Sequence, residues 1–143
     1  MKITAGVVGV AIVDYPRILL QDAAQHIAHQ DFGVAIVVAH VACEITAQQA
    51  MTRAFAHRSI TELETPVRKL FTGFNFANDR IRAIYEAVSG DDIHNQPFWT
   101  EFTKSADRRN NYSHSGTQAT EQEANDSVKA CTAFVEHVSR FTP

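Results

Sequence analysis

Glycine and proline are scarce in this chain of 143 residues, six and four respectively. No internal repeat, low-complexity tract or linker-like stretch longer than a turn occurs, so a multidomain string or a disordered segment is excluded. Basic charge is not in excess: the formal net charge is −3, which rules out a uniformly basic nucleic-acid coat and leaves room only for a local basic patch. Long hydrophobic runs are also missing. The longest, Gly6 to Val13 and Gly33 to Cys43, fall short of the ~20 residues a bilayer requires. Residues 2–13 loosely imitate a signal peptide, but Asp14-Tyr15-Pro16 stands where a small-residue cleavage site belongs. The expected location is the cytoplasm. Cysteine is limited to Cys43 and Cys131 in apolar contexts. They are either a disulfide or a pair of buried thiols, and a reducing compartment favours the thiols.

What the sequence does have is alanine, 20 residues of it, with 45% hydrophobic and 20% charged residues overall. Alanine has the highest helix propensity, and this balance is that of one globular domain with a single core. The expected organisation is an N-terminal arm over residues 1–14 and one helical domain over 15–143. The arm is rich in Val and Ile with Gly6 and Gly9, and fits an extended arm or an early helical turn equally well.

From Pro16 onward the pattern is helical. Leu20, Ala23, Ala24 and Ile27 share one face of a helix that Asp14 caps and Pro16 opens. Asp31-Phe32-Gly33 is expected to break it. A longer helix follows to about His57, its apolar stripe read as Val34, Val37, Val38, Val41, Ala42 and Ile45. So short a break implies an antiparallel hairpin. Ser59 to Thr65 reads as a connection ended by Pro66, with a short helical turn over Val67 to Phe71. Asn78 caps a helix carrying Ile81, Ile84, Tyr85 and Val88, and Gly90 sits at its C-terminal cap position. Pro97 opens another, with Phe98, Trp99, Phe102 and Ala106 apolar. Thr120-Glu121-Gln122-Glu123 is a capping box ahead of Ala124, Val128, Cys131, Phe134, Val135, Val138 and Phe141. The expected fold class is all-α, an up-and-down bundle of four to five helices.

One segment carries chemistry: Asp107-Arg108-Arg109-Asn110-Asn111-Tyr112-Ser113-His114-Ser115-Gly116. Adjacent asparagines and a Ser-Gly pair are turn chemistry, so the helix is expected to end near Asn110 or Asn111. Arg109 lies seven residues from Phe102 and eleven from Phe98, which at about 100° per residue returns it to the apolar face. An inward cation needs a carboxylate, a phosphate or a second subunit as partner. A turn beyond the helix end would bring His114 back beside it. An imidazole suits proton transfer near neutral pH, and a guanidinium suits two phosphate oxygens at once. Together they are a minimal kit for metal-free phosphodiester cleavage.

With Arg109, four intervening residues and His114, Asn110 directly after the arginine, and Gly116 two past the histidine, the segment resembles the motif of the HEPN domain family. The setting between the penultimate and last helices matches too. So does the upstream hairpin from Leu19-Leu20 to Glu44. The resemblance spans about residues 15–141. It implies a helical, metal-independent endoribonuclease, with no cofactor, acting on RNA as a homodimer whose two motifs face one shared cleft. Toxin–antitoxin, abortive-infection and other defence settings are implied, with an antitoxin or nucleotidyltransferase-type protein as partner. Carried over residue by residue, Arg109 and His114 are catalytic and Asn110 orients. Gly116 stands where some family toxins carry a modified tyrosine, so that regulation is not implied here.

Around the motif, Lys104, Arg108 and Asn111 are candidate RNA contacts; Glu44 reads equally as a supporting residue paired with Arg109 or as a boundary glutamate held by another cation. A solvated helix face and a helix-end arginine are the ordinary alternatives. His40 and Glu44 are four apart and His26 and His29 three apart, but neither pair brings a third ligand, so no metal site is expected. Neither cysteine has a base suggested beside it, which argues against a thiol nucleophile. Three functional classes remain: the ribonuclease, a catalytically silent HEPN-like nucleotide-binding or protein-interaction module, and a plain bundle using Arg109 at an interface.

Overall fold

The computed structural model describes residues 13–143; the expectation for residues 1–12 of the arm lies outside these. Six α-helices follow in order, with no strand among the described residues: α1 (Tyr15–Ala28), α2 (Phe32–His57), α3 (Glu64–Lys69), α4 (Asp79–Ser89), α5 (Trp99–Ser115) and α6 (Glu121–Arg140). The all-α expectation holds. The count exceeds the expected four to five because Ser59–Thr65 is not an open connection: a 3₁₀ turn over Thr61–Leu63 leads straight into α3. Pro66 lies in the first turns of α3, where its missing N–H costs no helical hydrogen bond.

Local chemistry sets most boundaries. The Asp14 carboxylate accepts from the Arg17 N–H at 3.2 Å to start α1. The break between α1 and α2 is made by Gln30, at φ 64°, and Asp31. Gly33 is therefore not a breaker but sits inside the first turn of α2. Asn78 caps α4 by accepting from the Arg80 and Ile81 N–H groups, and Gly90 ends it at φ 77°. Thr120 and Glu123 form the expected reciprocal capping box on α6.

α2 is the central helix, packed against α1, α6, α5 and α4. It is long and apolar enough to cross a membrane by length and composition, the one such helix among the described residues, and more than half of its most apolar window is buried within the bundle. The buried face is not the valine stripe. Ala35, Ile36, Ala39, Ala42, Cys43, Ala47, Ala50, Met51 and Ala54 are buried, whereas Val34 and Val41 are each 36% exposed. Val37, Val38 and Ile45 lie at the boundary. A helix apolar nearly all round gives no unique face by periodicity, and here the small side chains are the ones that let neighbouring helices approach closely. Phe76, Tyr85, Phe102 and Phe134 complete the core. Phe102 stacks on Phe134 with centroids 4.5 Å apart, and the Phe76 and Tyr85 rings stack at the same separation.

Two polar networks are buried in this core. His40 of α2 shares a 2.7 Å hydrogen bond with the Ser105 hydroxyl of α5, and Ser105 in turn lies 4.0 Å from the Cys131 sulfur. Cys43 donates to the Cys131 carbonyl at 3.7 Å. Both cysteines are free and buried, as the thiol reading expects, but a histidine does stand in this cluster, which the sequence gave no reason to foresee. Burial pushes the Cys43 thiol well above its usual range. The second network ties α4 to α6: Tyr85 donates to the Asp91 carboxylate at 2.7 Å, and His137 Nε2 approaches the same carboxylate at 2.8 Å. Burial, then the bond to Asp91, holds the Tyr85 hydroxyl strongly protonated.

Candidate functional site

α5 does not stop at the paired asparagines. It runs through Asn110, Asn111 and Tyr112 to Ser115, and the left-handed residue that closes it is Gly116, at φ 63°. The asparagines pay only a modest propensity penalty, and packing outweighs it. The Tyr112 ring lies flat against Gly33 of α2, so close that a Cβ there would come within 2.0 Å of it. That contact fixes the last turns of α5 against the first turn of α2.

His114 is consequently a residue of the last helical turn, not of a loop folding back, and its side chain is exposed. Five residues along a helix amount to roughly 140° of rotation and ~7.5 Å of rise, so His114 leaves α5 on a different face from Arg109. Within one chain the two do not converge.

Arg109 does point inward. Its Nη2 donates to Glu44 Oε1 across the α2–α5 groove at 3.1 Å, with the two side chains 29% and 30% exposed. Of the two readings of Glu44, pairing with Arg109 rather than with another cation is the one found. Asn110 is exposed and its amide oxygen accepts a long, 3.5 Å contact from Arg109 Nη1. Arg108, one residue earlier, turns the other way. It donates to Glu101 at 2.7 Å and to the buried Ser127 hydroxyl of α6 at 3.2 Å, bracing α5 to α6. Lys104 is exposed and 3.8 Å from Glu101, so this carboxylate faces both cations. Asn111 is exposed beside Thr117 and Gln118 at a small hollow away from Arg109.

Arg109, Asn110 and Glu44 line a cavity of about 870 Å³ between α5 and the segment joining α3 to α4. Its far wall is Leu70, Phe71, Thr72, Gly73, Asn75 and Asn78, and Arg80 stands at its edge. The sequence signals nothing of this wall beyond Asn78 as the cap of α4. The size is that of a small-molecule site.

Neither histidine pair considered for metal binding assembles. His40 turns to Ser105 and Glu44 to Arg109, while His26 lies 3.6 Å from Asp22 and 3.7 Å from Asp31. The grouping with ligand character among the described residues is a different one, Glu86, Asp92 and His94. It is largely exposed and already satisfied internally: His94 Nδ1 meets Glu86 at 2.6 Å, and Asn95 donates to Asp92. The chain matches no family model, no curated protein and no solved structure.

Proposed function

We propose that the protein is a metal-independent endoribonuclease of the HEPN type, working as a homodimer through Arg109 and His114. The observation that carries this reading is the placement of Arg109: inward on α5, ion-paired to Glu44, and lining a cleft together with Asn110. A partly desolvated guanidinium paired to one carboxylate at a cleft wall is suited to exchange that carboxylate for a phosphate. In this reading the second copy brings its own His114 toward that arginine, when the C-terminal ends of two α5 helices meet across a two-fold axis.

In this reading the His114 imidazole takes the proton of an RNA 2′-hydroxyl. The 2′-oxygen then attacks phosphorus, and the bond to the 5′-oxygen breaks as that oxygen takes a proton from water. Arg109 stabilises the charge on the pentacoordinate phosphorus. The products are a 2′,3′-cyclic phosphate and a 5′-hydroxyl.

The competing reading is a catalytically silent HEPN-like nucleotide-binding or protein-interaction module. One observation favours it: the helical His114 stands apart from Arg109 in the single chain. Total RNA and tRNA incubated in EDTA with wild type, Arg109→Ala and His114→Ala, followed by end-group analysis, separate the two. The ribonuclease cleaves to cyclic phosphate ends, and each variant loses about 10²–10⁴-fold in rate while remaining folded. A folded dimer that binds RNA or nucleotide without cleaving any RNA establishes the silent module instead.

A further inference from the structure

We infer that the cavity between α5 and residues 70–78 is a nucleobase subsite, taking a base that presents ring carbonyl or ring nitrogen acceptors. The inference deepens the ribonuclease reading by placing one substrate nucleotide beside Arg109. Its basis is the hydrogen-bond bookkeeping of three asparagines that line the cavity.

Two of these amides, Asn75 and Asn78, have committed their oxygens to the backbone, and the third, Asn110, turns its oxygen toward Arg109 at 3.5 Å. Asn75 Oδ1 accepts from the Ala77 N–H at 2.9 Å. Asn78 Oδ1 accepts from the Arg80 and Ile81 N–H groups at 3.0 and 3.4 Å. Asn110 Oδ1 accepts from Arg109. An amide that accepts through its oxygen offers its two N–H bonds elsewhere. The backbone therefore fixes the amides of Asn75 and Asn78 with their N–H groups left over, and a cavity lined by them favours acceptors.

The charges of the wall do not select for a bare anion. Glu44 is paired with Arg109, and Asp79 with Arg82 at 3.0 Å. Arg80 and Asp107, both exposed, oppose each other in sign. What remains is the amides of Asn75 and Asn78 on the same wall as Leu70, 73% exposed, and the half-buried Phe71, with Asn110 across the cavity from them. Donors at fixed positions plus a greasy surface suit a flat heterocycle with acceptors on its edge. The phosphate of the same nucleotide then falls to Arg109.

Asparagine-to-aspartate exchange tests this without disturbing the fold. Asn78→Asp keeps a helix cap of equal quality, and Asn75→Asp keeps the oxygen that Ala77 needs, while both remove the donors. Uridine and guanosine 5′-monophosphates, neutral uridine and ribose 5-phosphate are titrated into the full chain, followed by amide NMR shifts. Both nucleotides are expected to shift Leu70–Asn78 and Asn110, with ribose 5-phosphate at least about tenfold weaker. Asn75→Asp/Asn78→Asp is expected to weaken uridine as well as its monophosphate by about tenfold or more, at unchanged thermal midpoint. The loss for neutral uridine separates base recognition from added negative charge.

Equal affinity for ribose 5-phosphate, shifts located elsewhere, unaltered binding by the double variant, or no binding at millimolar nucleotide each overturns the subsite. RNA cleavage by wild type that persists alongside any of these leaves the ribonuclease standing without the subsite. Nucleotide binding as expected with no cleavage of RNA leaves the subsite standing without the ribonuclease.

Discussion

Arg108 and Arg109 are neighbours in sequence and belong to different parts of the molecule. Arg108 is 22% exposed and joined to Glu101 and Ser127, so it holds α6 to α5. Arg109 reaches across to Glu44 on α2, at the wall of an open cavity. One step along a helix is about 100° of rotation, which is enough to send one guanidinium to a seam and the next to a cleft. A run of basic residues read as one patch thus divides into a structural brace and a candidate for chemistry.

The largest effect expected from breaking this comparison is on activity. On the ribonuclease proposal, Arg109→Ala should lower RNA cleavage by about 10²–10⁴-fold, as loss of a group stabilising the charged phosphorus does. Arg108→Ala should leave the cleavage rate within a few-fold once the fraction folded is corrected. Single-turnover kinetics on the two purified variants make the distinction.

Stability should show the reverse order. Arg108→Ala strands the buried Ser127 hydroxyl and one oxygen of Glu101, and is expected to cost about 1–3 kcal/mol in urea unfolding. A similar cost, about 1–3 kcal/mol, is expected for Gly33→Ala, whose new methyl group must displace the Tyr112 ring. Pairing it with Tyr112→Ala should return part of that loss. A coupling of about 0.5 kcal/mol or more in the double-mutant cycle would place the cost at this contact. The smallest effect belongs to Glu44→Gln. With both partners of the ion pair nearly a third exposed, it should change stability by less than about 1 kcal/mol, a difference that shrinks further in high salt.

How far the sequence could be read depended on how local the governing interaction was. Asp14, Asn78, Gly90 and Thr120 act within one turn of the chain, and each is found in the role its residue type suggests. The end of α5 is not legible in the sequence because Asn110 and Asn111 have only a weak preference for turns, which the packing of Tyr112 on Gly33 overrides. The valine stripe of α2 reads as core because hydrophobicity alone does not distinguish a β-branched boundary from an alanine-lined interior. His40 meets Ser105, and Ser105 meets Cys131, across sequence separations of 65 and 26 residues, so no local pattern announces the cluster.

The sequence by itself determined an all-α chain, the starts of α1, α4 and α6, the amphipathic faces of α4 and α6, and an inward Arg109. These follow from propensity, capping and a 3.6-residue period, all of which act over a few residues. Only the tertiary structure decided that Glu44 is Arg109's partner, that Arg108 is a brace, that His114 leaves α5 on another face, and that residues 70–78 wall a cavity. Each of those depends on where a second helix or loop lies, and that is set by the packing of the whole core rather than by any one segment.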